Sequence, residues 1–171
     1  MIEKKTVFSD DRVYRYTLWR DWDVDAITGS ADDLKHPDKF VQFIGLNPST
    51  ADEVQDDPTI RRCIGFAKSW GYGALCMTNI FAFRATDPKV MKKTPDAAGH
   101  DNEDWILKIA REAGIVVAAW GNDGTHIHQG VTIKHMLKAH GIKVHHLGLT
   151  GTGEPKHPLY LRKDLKPIAF E

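Results

Sequence analysis

Four short apolar runs, at 40–46, 74–79, 115–120 and 142–147, most constrain what this chain can become. The first, Phe40 to Leu46, carries β-branched and aromatic residues and is interrupted only by Gln42 and Gly45. Runs this continuous fit strands covered on both faces, as inside a parallel sheet. The segments between them repeat at helical spacing. Asp57-Pro58 supplies an N-cap followed by proline at the first helical position, and Ile60, Ile64, Ala67 and Trp70 then form an apolar stripe closed by Gly71 or Gly73. A second helix is predicted over Asp101 to Ala113, with Trp105, Ile106, Ile109 and Ala110 inward. A third is predicted over His126 to His140, using Ile127, Val131, His135 and Leu137 and closed by Gly141. Strand–helix alternation calls for right-handed crossovers and a parallel sheet with helices on both faces. The expectation is one three-layer α/β/α domain over 1–171, with a four-stranded, mainly parallel central sheet. Val13 to Trp19 adds a half-exposed N-terminal strand at an edge. Asp21 to Asp38 and the stretch around Asp87-Pro88 and Pro95 read as loops, and Arg162 to Glu171 as a short helix or tail.

A chain of 171 residues can bury a sizeable core. Its 23 basic residues balance 23 acidic ones, which excludes nucleic-acid binding by bulk charge but not by a local patch. Cys63 and Cys76 fall in a predicted helix and strand and read as buried thiols of a reducing compartment. Met-Ile-Glu-Lys-Lys runs into charged residues without an apolar segment, so no signal peptide and a cytoplasmic location are expected. No apolar run reaches membrane-spanning length, and no membrane partner is expected.

Chemistry is expected where the strands end. In open α/β sheets ligands bind beyond the carboxyl ends of the strands. Pro48 biases Asn47 away from the helical region and holds it extended there. Asn79 ends the second run, and His157 follows the fourth after the glycine-bearing loop 148–153. Two amides and an imidazole meeting in one cleft fit recognition of a planar heterocycle. Asparagine offers a donor and an acceptor, as a base edge requires, and histidine can donate to a developing oxyanion. Pro158 suits the first turn of a helix beginning beside His157. Taken singly, each of these residues is better explained by satisfying loop backbone; their joint placement shifts the balance toward a site.

The run Gly45-Leu46-Asn47-Pro48 resembles the first motif of the uracil-DNA glycosylase superfamily, in the asparagine form of its mismatch-specific and thymine-DNA glycosylase branch. His157-Pro158-Leu159-Tyr160-Leu161 resembles the second motif, and Thr78-Asn79 with Arg84 the segment that reads the base. Over almost the whole chain, Leu-Asn-Pro-Ser-Thr-Ala-Asp, Asp-Asp-Pro-Thr-Ile-Arg-Arg-Cys, Trp-Gly-Tyr-Gly, Arg-Ala-Thr-Asp-Pro and His-Pro-Leu-Tyr-Leu resemble the DUF1643 family. The glycosylase resemblance implies that fold and an enzyme cleaving the N-glycosidic bond of a normal or modified base in DNA. Asn47 would position the attacking water, His157 would stabilise the leaving base and Asn79 would hold the base edge. Gly45, Pro48, Ser49, Thr50, Arg84, Pro158 and Tyr160 would complete the binding site. An asparagine is a poor general base, so such catalysis leans on orientation and leaving-group stabilisation. The base would have to leave the stack, at a cost of a few kcal/mol.

The chain departs from the glycosylase pattern after its first motif, where Ser-Thr-Ala-Asp-Glu follows, and at Leu-Tyr-Leu in the last. Cluster-binding cysteines are absent, and no cofactor is expected. Between 151 and 171 the charge is barely positive, which leaves room for a free nucleoside, nucleotide or nucleobase in place of DNA. A nucleotide-binding module without catalysis is the alternative of a different class. His126 and His128 on a helix, and His145 and His146 on a strand, point apart, so no metal is expected. Asp52, Glu53, Asp56 and Asp57 read as an N-cap with solvated charge, Asp52 or Asp56 remaining open as a hidden base. Gly148 to Gly153 lacks the ending of a phosphate-binding P-loop. Trp70, Trp105 and Trp120 read as core.

Overall fold

A computed structural model describes residues 4–22 and 36–171, with 36–38 described by their backbone alone. The strands are β1 (Val7–Phe8), β2 (Arg15–Asp21), β3 (His36–Gly45), β4 (Tyr72–Asn79), β5 (Ile115–Ala118), β6 (Val144–His146) and β7 (Ile168–Ala169). The helices of the described residues are α1 (Pro58–Ser69), α2 (Pro88–Lys93), α3 (Asn102–Glu112) and α4 (Gln129–Ala139), with a 3-10 segment over Asn122–His128.

The strands form one sheet in the order β1-β2-β4-β3-β5-β6-β7. Its centre is the expected parallel set, with β4, β3, β5 and β6 side by side. Alternate residues of β3 serve opposite layers. Phe43 packs toward α1 with Leu75, Met77, Val117, Cys63 and Phe66. Ile44 packs toward α3 and α4 with Val116, Ala118, Ile106, Ile133 and Leu137. The central strands are therefore apolar on both faces because helices cover both faces. Cys63 and Cys76 are buried free thiols, and burial pushes both thiols up.

The sheet is wider than the expected four strands plus one edge strand. β2 is antiparallel to β4 but is not the edge, because β1 pairs along its outer side. The C-terminal segment supplies β7, antiparallel to β6, where a helix or tail was expected. Two-residue strands carry no periodicity, so sequence patterning cannot reveal them. Of the expected loop 21–38, Asp21 ends β2 and His36 begins β3, while 23–35 lie outside the described residues.

The predicted helix over His126 to His140 is shorter. His126 and Ile127 have non-helical backbone, Ile127 and His128 lie at positive φ, and α4 starts at Gln129. The cause is local. A Cβ on Gly124 would lie 2.0 Å from the indole of Trp120, and one on Gly130 would lie 2.7 Å from it. The chain turns tightly over that ring before a regular helix can begin. Ile127 and Val131 are exposed, and Ile133 and Leu137 carry the buried face. Trp70 and Trp120 are core, as expected, whereas Trp105 is half-buried beneath Lys108.

Candidate functional site

A cavity of about 380 Å³ opens at the carboxyl edge of the parallel strands. The β3–β4 register sets Gly45 against Asn79, so the two strands stop level with each other. A Cβ on Gly45 would come within 2.7 Å of Asn79 Oδ1, so glycine is needed for the Asn79 amide to lie where it does. Beyond the strand, Asn47 Nδ2 donates to Ala85 O at 2.8 Å and to Pro48 O at 3.2 Å, while Ala85 N–H donates to Pro48 O. These bonds fix the Asn47 amide and leave its Oδ1 as the free acceptor.

His157 reaches the same edge by a longer route. The chain after β6 doubles back, with Thr150 N–H bonded to Glu154 O and Lys156 N–H to Gly148 O. Gly121 N–H then donates to Pro155 O, which seats His157 beside the end of β5. Leu159 N–H donates to His157 Nδ1 at 3.2 Å. Nδ1 is thus the acceptor, and the neutral ring carries its proton on Nε2. His157 stands at the rim with more than a third of its surface open. Desolvation by its neighbours still lowers its pKa, against a smaller upward pull from Asp57. The ring is therefore a neutral donor at pH 7.

Three further charged groups line the cavity, Asp57, Arg15 and Asp123, the last paired with Lys92. Asp57 caps α1, its Oδ1 accepting from Ile60 N–H at 2.8 Å, and its other oxygen remains free. Arg15 is only 2 % exposed. Its Nη1 donates to Ala51 O at 2.8 Å, but its Nε, like Asn79 Nδ2, is buried without a partner. Burial brings the Arg15 pKa down to about 10, with Asp57 acting in the opposite direction.

Of the residues expected at a site, Gly45, Asn47, Pro48, Ser49, Asn79 and His157 all line this one cavity. Thr50 and Arg84 line a shallower depression alongside, which shares Ser49, Ala85 and Thr86 with it. Pro158 is buried but outside the cavity lining, and Tyr160 is 93 % exposed at positive φ. The helix expected to start at Pro158 is a turn. The carboxylates of the 52–57 segment are individually engaged. Asp52 accepts from Val54 and Gln55 N–H, Glu53 pairs with Arg12, and Asp56 pairs with Arg20. Neither Asp52 nor Asp56 lines the cavity, and Asp57 is the carboxylate of that segment that does. Among the described residues no three His, Cys, Asp or Glu side chains cluster as a metal site.

Arg15 and Asp57 are among the cavity residues that sequence reasoning passed over in that role, as is Asp123, which pairs with Lys92. A signal for the first two existed. Arg15 is a charge inside an aromatic and β-branched strand, and Asp57 is an N-cap on the helix that follows the Asn47 turn. Trp120 also joins the cavity wall, its Nε1 donating to Glu154 at 2.8 Å.

A family model described as protein of unknown function (DUF1643) matches residues 15–159, a span that includes every cavity residue named above. No curated protein and no solved structure matches the chain.

Proposed function

Because the chain belongs to the DUF1643 family, described only as of unknown function, we infer from the site itself a hydrolase of the N-glycosidic bond of a base in DNA or in a free nucleotide, on a uracil-DNA-glycosylase-like scaffold. One observation carries this reading: Asn79, whose amide NH2 is buried without a partner, lines the same hollow as a neutral imidazole and a fixed Asn47 side chain. A flat ring with acceptor atoms answers the first two groups, and a water answers the third. The strand-end motif at 45–48 and the His-Pro at 157–158 support the scaffold.

The roles follow from the atoms. Asn79 Nδ2 donates to an acceptor on the base edge. His157 Nε2–H donates to the base atom on which negative charge gathers as the bond to C1′ breaks. Asn47 Oδ1 and the free oxygen of Asp57 accept from a water and aim it at C1′. The water oxygen bonds to C1′, its proton passes to the Asp57 carboxylate, and the base leaves with the electron pair of the old C1′–N bond. A lone amide could only orient the water; the neighbouring carboxylate adds a proton acceptor.

The test is release of free base, read by chromatography, from a panel of nucleosides, nucleotides and single- and double-stranded oligonucleotides. Wild type releases a base from at least one class. His157→Ala and Asp57→Asn lower kcat by about 10²–10⁴ each, the usual worth of one positioned donor or base. A panel that binds but yields no base overturns the hydrolytic reading. The cleft is then a binding module, an outcome that Asp57 already being bonded to Ile60 N–H would favour.

A further inference from the structure

Arg15 has no task in that hydrolysis, yet it is the most unusual group in the cavity. Three arginines at 12, 15 and 20 reach across to the 47–57 segment. Arg12 makes a two-pronged pair with Glu53, and Arg20 pairs with Asp56 while bonding Asp52 O and Gln55 O. Both are matched by carboxylates. Arg15, the most deeply buried of the three, is not. Its side chain has one hydrogen bond, to a main-chain oxygen, and an orphaned Nε. The opposite charge acting on it is Asp57, which lies beyond ion-pair distance and is engaged at the start of α1, while Arg84 and Arg20 add charge of its own sign.

A buried cation without a counter-ion loses hydration and gains nothing in return, so such groups are rare outside sites that receive an anion. With its pKa near 10 the guanidinium remains charged at neutral pH, and its planar fork matches the oxygens of a phosphate. The cavity is compact, and the chain's 23 basic residues balance 23 acidic ones, so it has no bulk positive charge to hold a polymer backbone. We propose that Arg15 is an anion-binding residue of the cavity, holding the phosphate of a free nucleotide, so that the substrate is a nucleoside monophosphate. The nucleotide part rests on the reading given under the proposed function; the anion subsite stands on Arg15 alone.

The experiment is calorimetric titration of the full chain with inorganic phosphate, a nucleoside 5′-monophosphate panel, the matching nucleosides, and oligonucleotides with internal diesters only. At least one monophosphate binds tenfold or more tightly than its nucleoside and than the oligonucleotide. Arg15→Met abolishes that preference and Arg15→Lys retains part of it. Should Arg15→Met fail to fold, the wild-type Arg15 Nε–H resonance is followed during phosphate titration, and it shifts with saturation. Monophosphates binding no tighter than nucleosides, a preference surviving Arg15→Met, or an unmoved resonance each overturn the anion subsite. Oligonucleotides binding as tightly as monophosphates overturn the free nucleotide as substrate. Base release that does not depend on phosphate or Arg15 sinks this inference but not the hydrolysis. Phosphate binding without base release does the reverse.

Discussion

Two groups of buried polar side chains lie close together in this sheet, and they differ in which atoms are left over. One is sealed between β3, β4, α3 and α4. There Gln42 Nε2 donates to Thr78 Oγ1 and Ile106 O, Asn102 Nδ2 to Asn79 O and Ile80 O, and Gln129 Nε2 to Ile80 O. What remains unpaired are two side-chain carbonyl oxygens, on Gln42 and Asn102. The other group borders the cavity, and there the orphans are donors, Arg15 Nε and Asn79 Nδ2. Arg62 Nε and Arg84 Nε are unpartnered too but lie outside the cavity lining, so what distinguishes Arg15 and Asn79 is that their unmet donors belong to residues that line it. The first cluster tethers helices to the sheet, and the second leaves two donors unmet beside the cavity. Asn79 belongs to both, its main-chain oxygen to the sealed group and its amide to the open one.

The largest effect that separates the two regions is on stability. Asn102→Ala removes the donor to Asn79 O and one of two donors to Ile80 O and leaves a buried carbonyl unmet. It should cost about 2–3 kcal/mol, read as a lowered urea midpoint. Asn79→Ala deletes an equally buried amide but strands no partner, and should stay within about 1 kcal/mol of wild type while losing ligand. Equal destabilisation by the two substitutions would break the distinction.

A smaller effect comes from the boundary between them. Gly45→Ala places a methyl 2.7 Å from Asn79 Oδ1 and from Met77 Cε. Both obstructing atoms end flexible side chains, so they yield, and the cost should be about 1–2 kcal/mol. The amide must turn to make way. Gly45→Ala should therefore lose ligand affinity as fully as Asn79→Ala while its circular dichroism is unchanged. Retained affinity would mean that the Asn79 amide does not need its present orientation.

The open region was the more legible in sequence. Parallel strands buried on both faces betray themselves as unbroken apolar runs, and parallelism forces their ends to one edge, so Asn47, Asn79 and His157 are related without any knowledge of the loops. Arg15 and Asp57 needed tertiary information. An arginine in a strand reads as a solvent-facing residue, but here it is buried, with its guanidinium bonded to Ala51 O of the 47–57 segment. Asp57 has the same signature as Asp87 before α2, yet one cap lines the cavity and the other is exposed. Tyr160 fails for the converse reason. Pro158 permits a helix start but does not compel one, and the turn that forms throws the ring outward. The α4 boundary was masked because Ile127 and Val131 keep helical spacing, while the constraint, Gly124 and Gly130 closing on Trp120, is set by contacts distant from that pattern.

The smallest effect is the dependence on acid. Desolvation depresses His157 below its ordinary value of 6.5, and does the same to His145 and His146. An unfolded chain therefore takes up these protons first as pH falls. Between about 6.5 and the lowered values the unfolded state holds more protons, so stability declines with falling pH across that window and levels off below it. His157 differs from the two strand histidines in what protonation breaks. A proton on Nδ1 ends acceptance from Leu159 N–H and frees the ring from its place beside Gly121. Ligand affinity should fall through the same window as stability if the neutral ring is part of the open region. His157→Gln should flatten the affinity profile and leave the share of the stability slope owed to His145 and His146. An affinity profile that keeps its acid limb in His157→Gln would assign that limb to another group and remove His157 from the site.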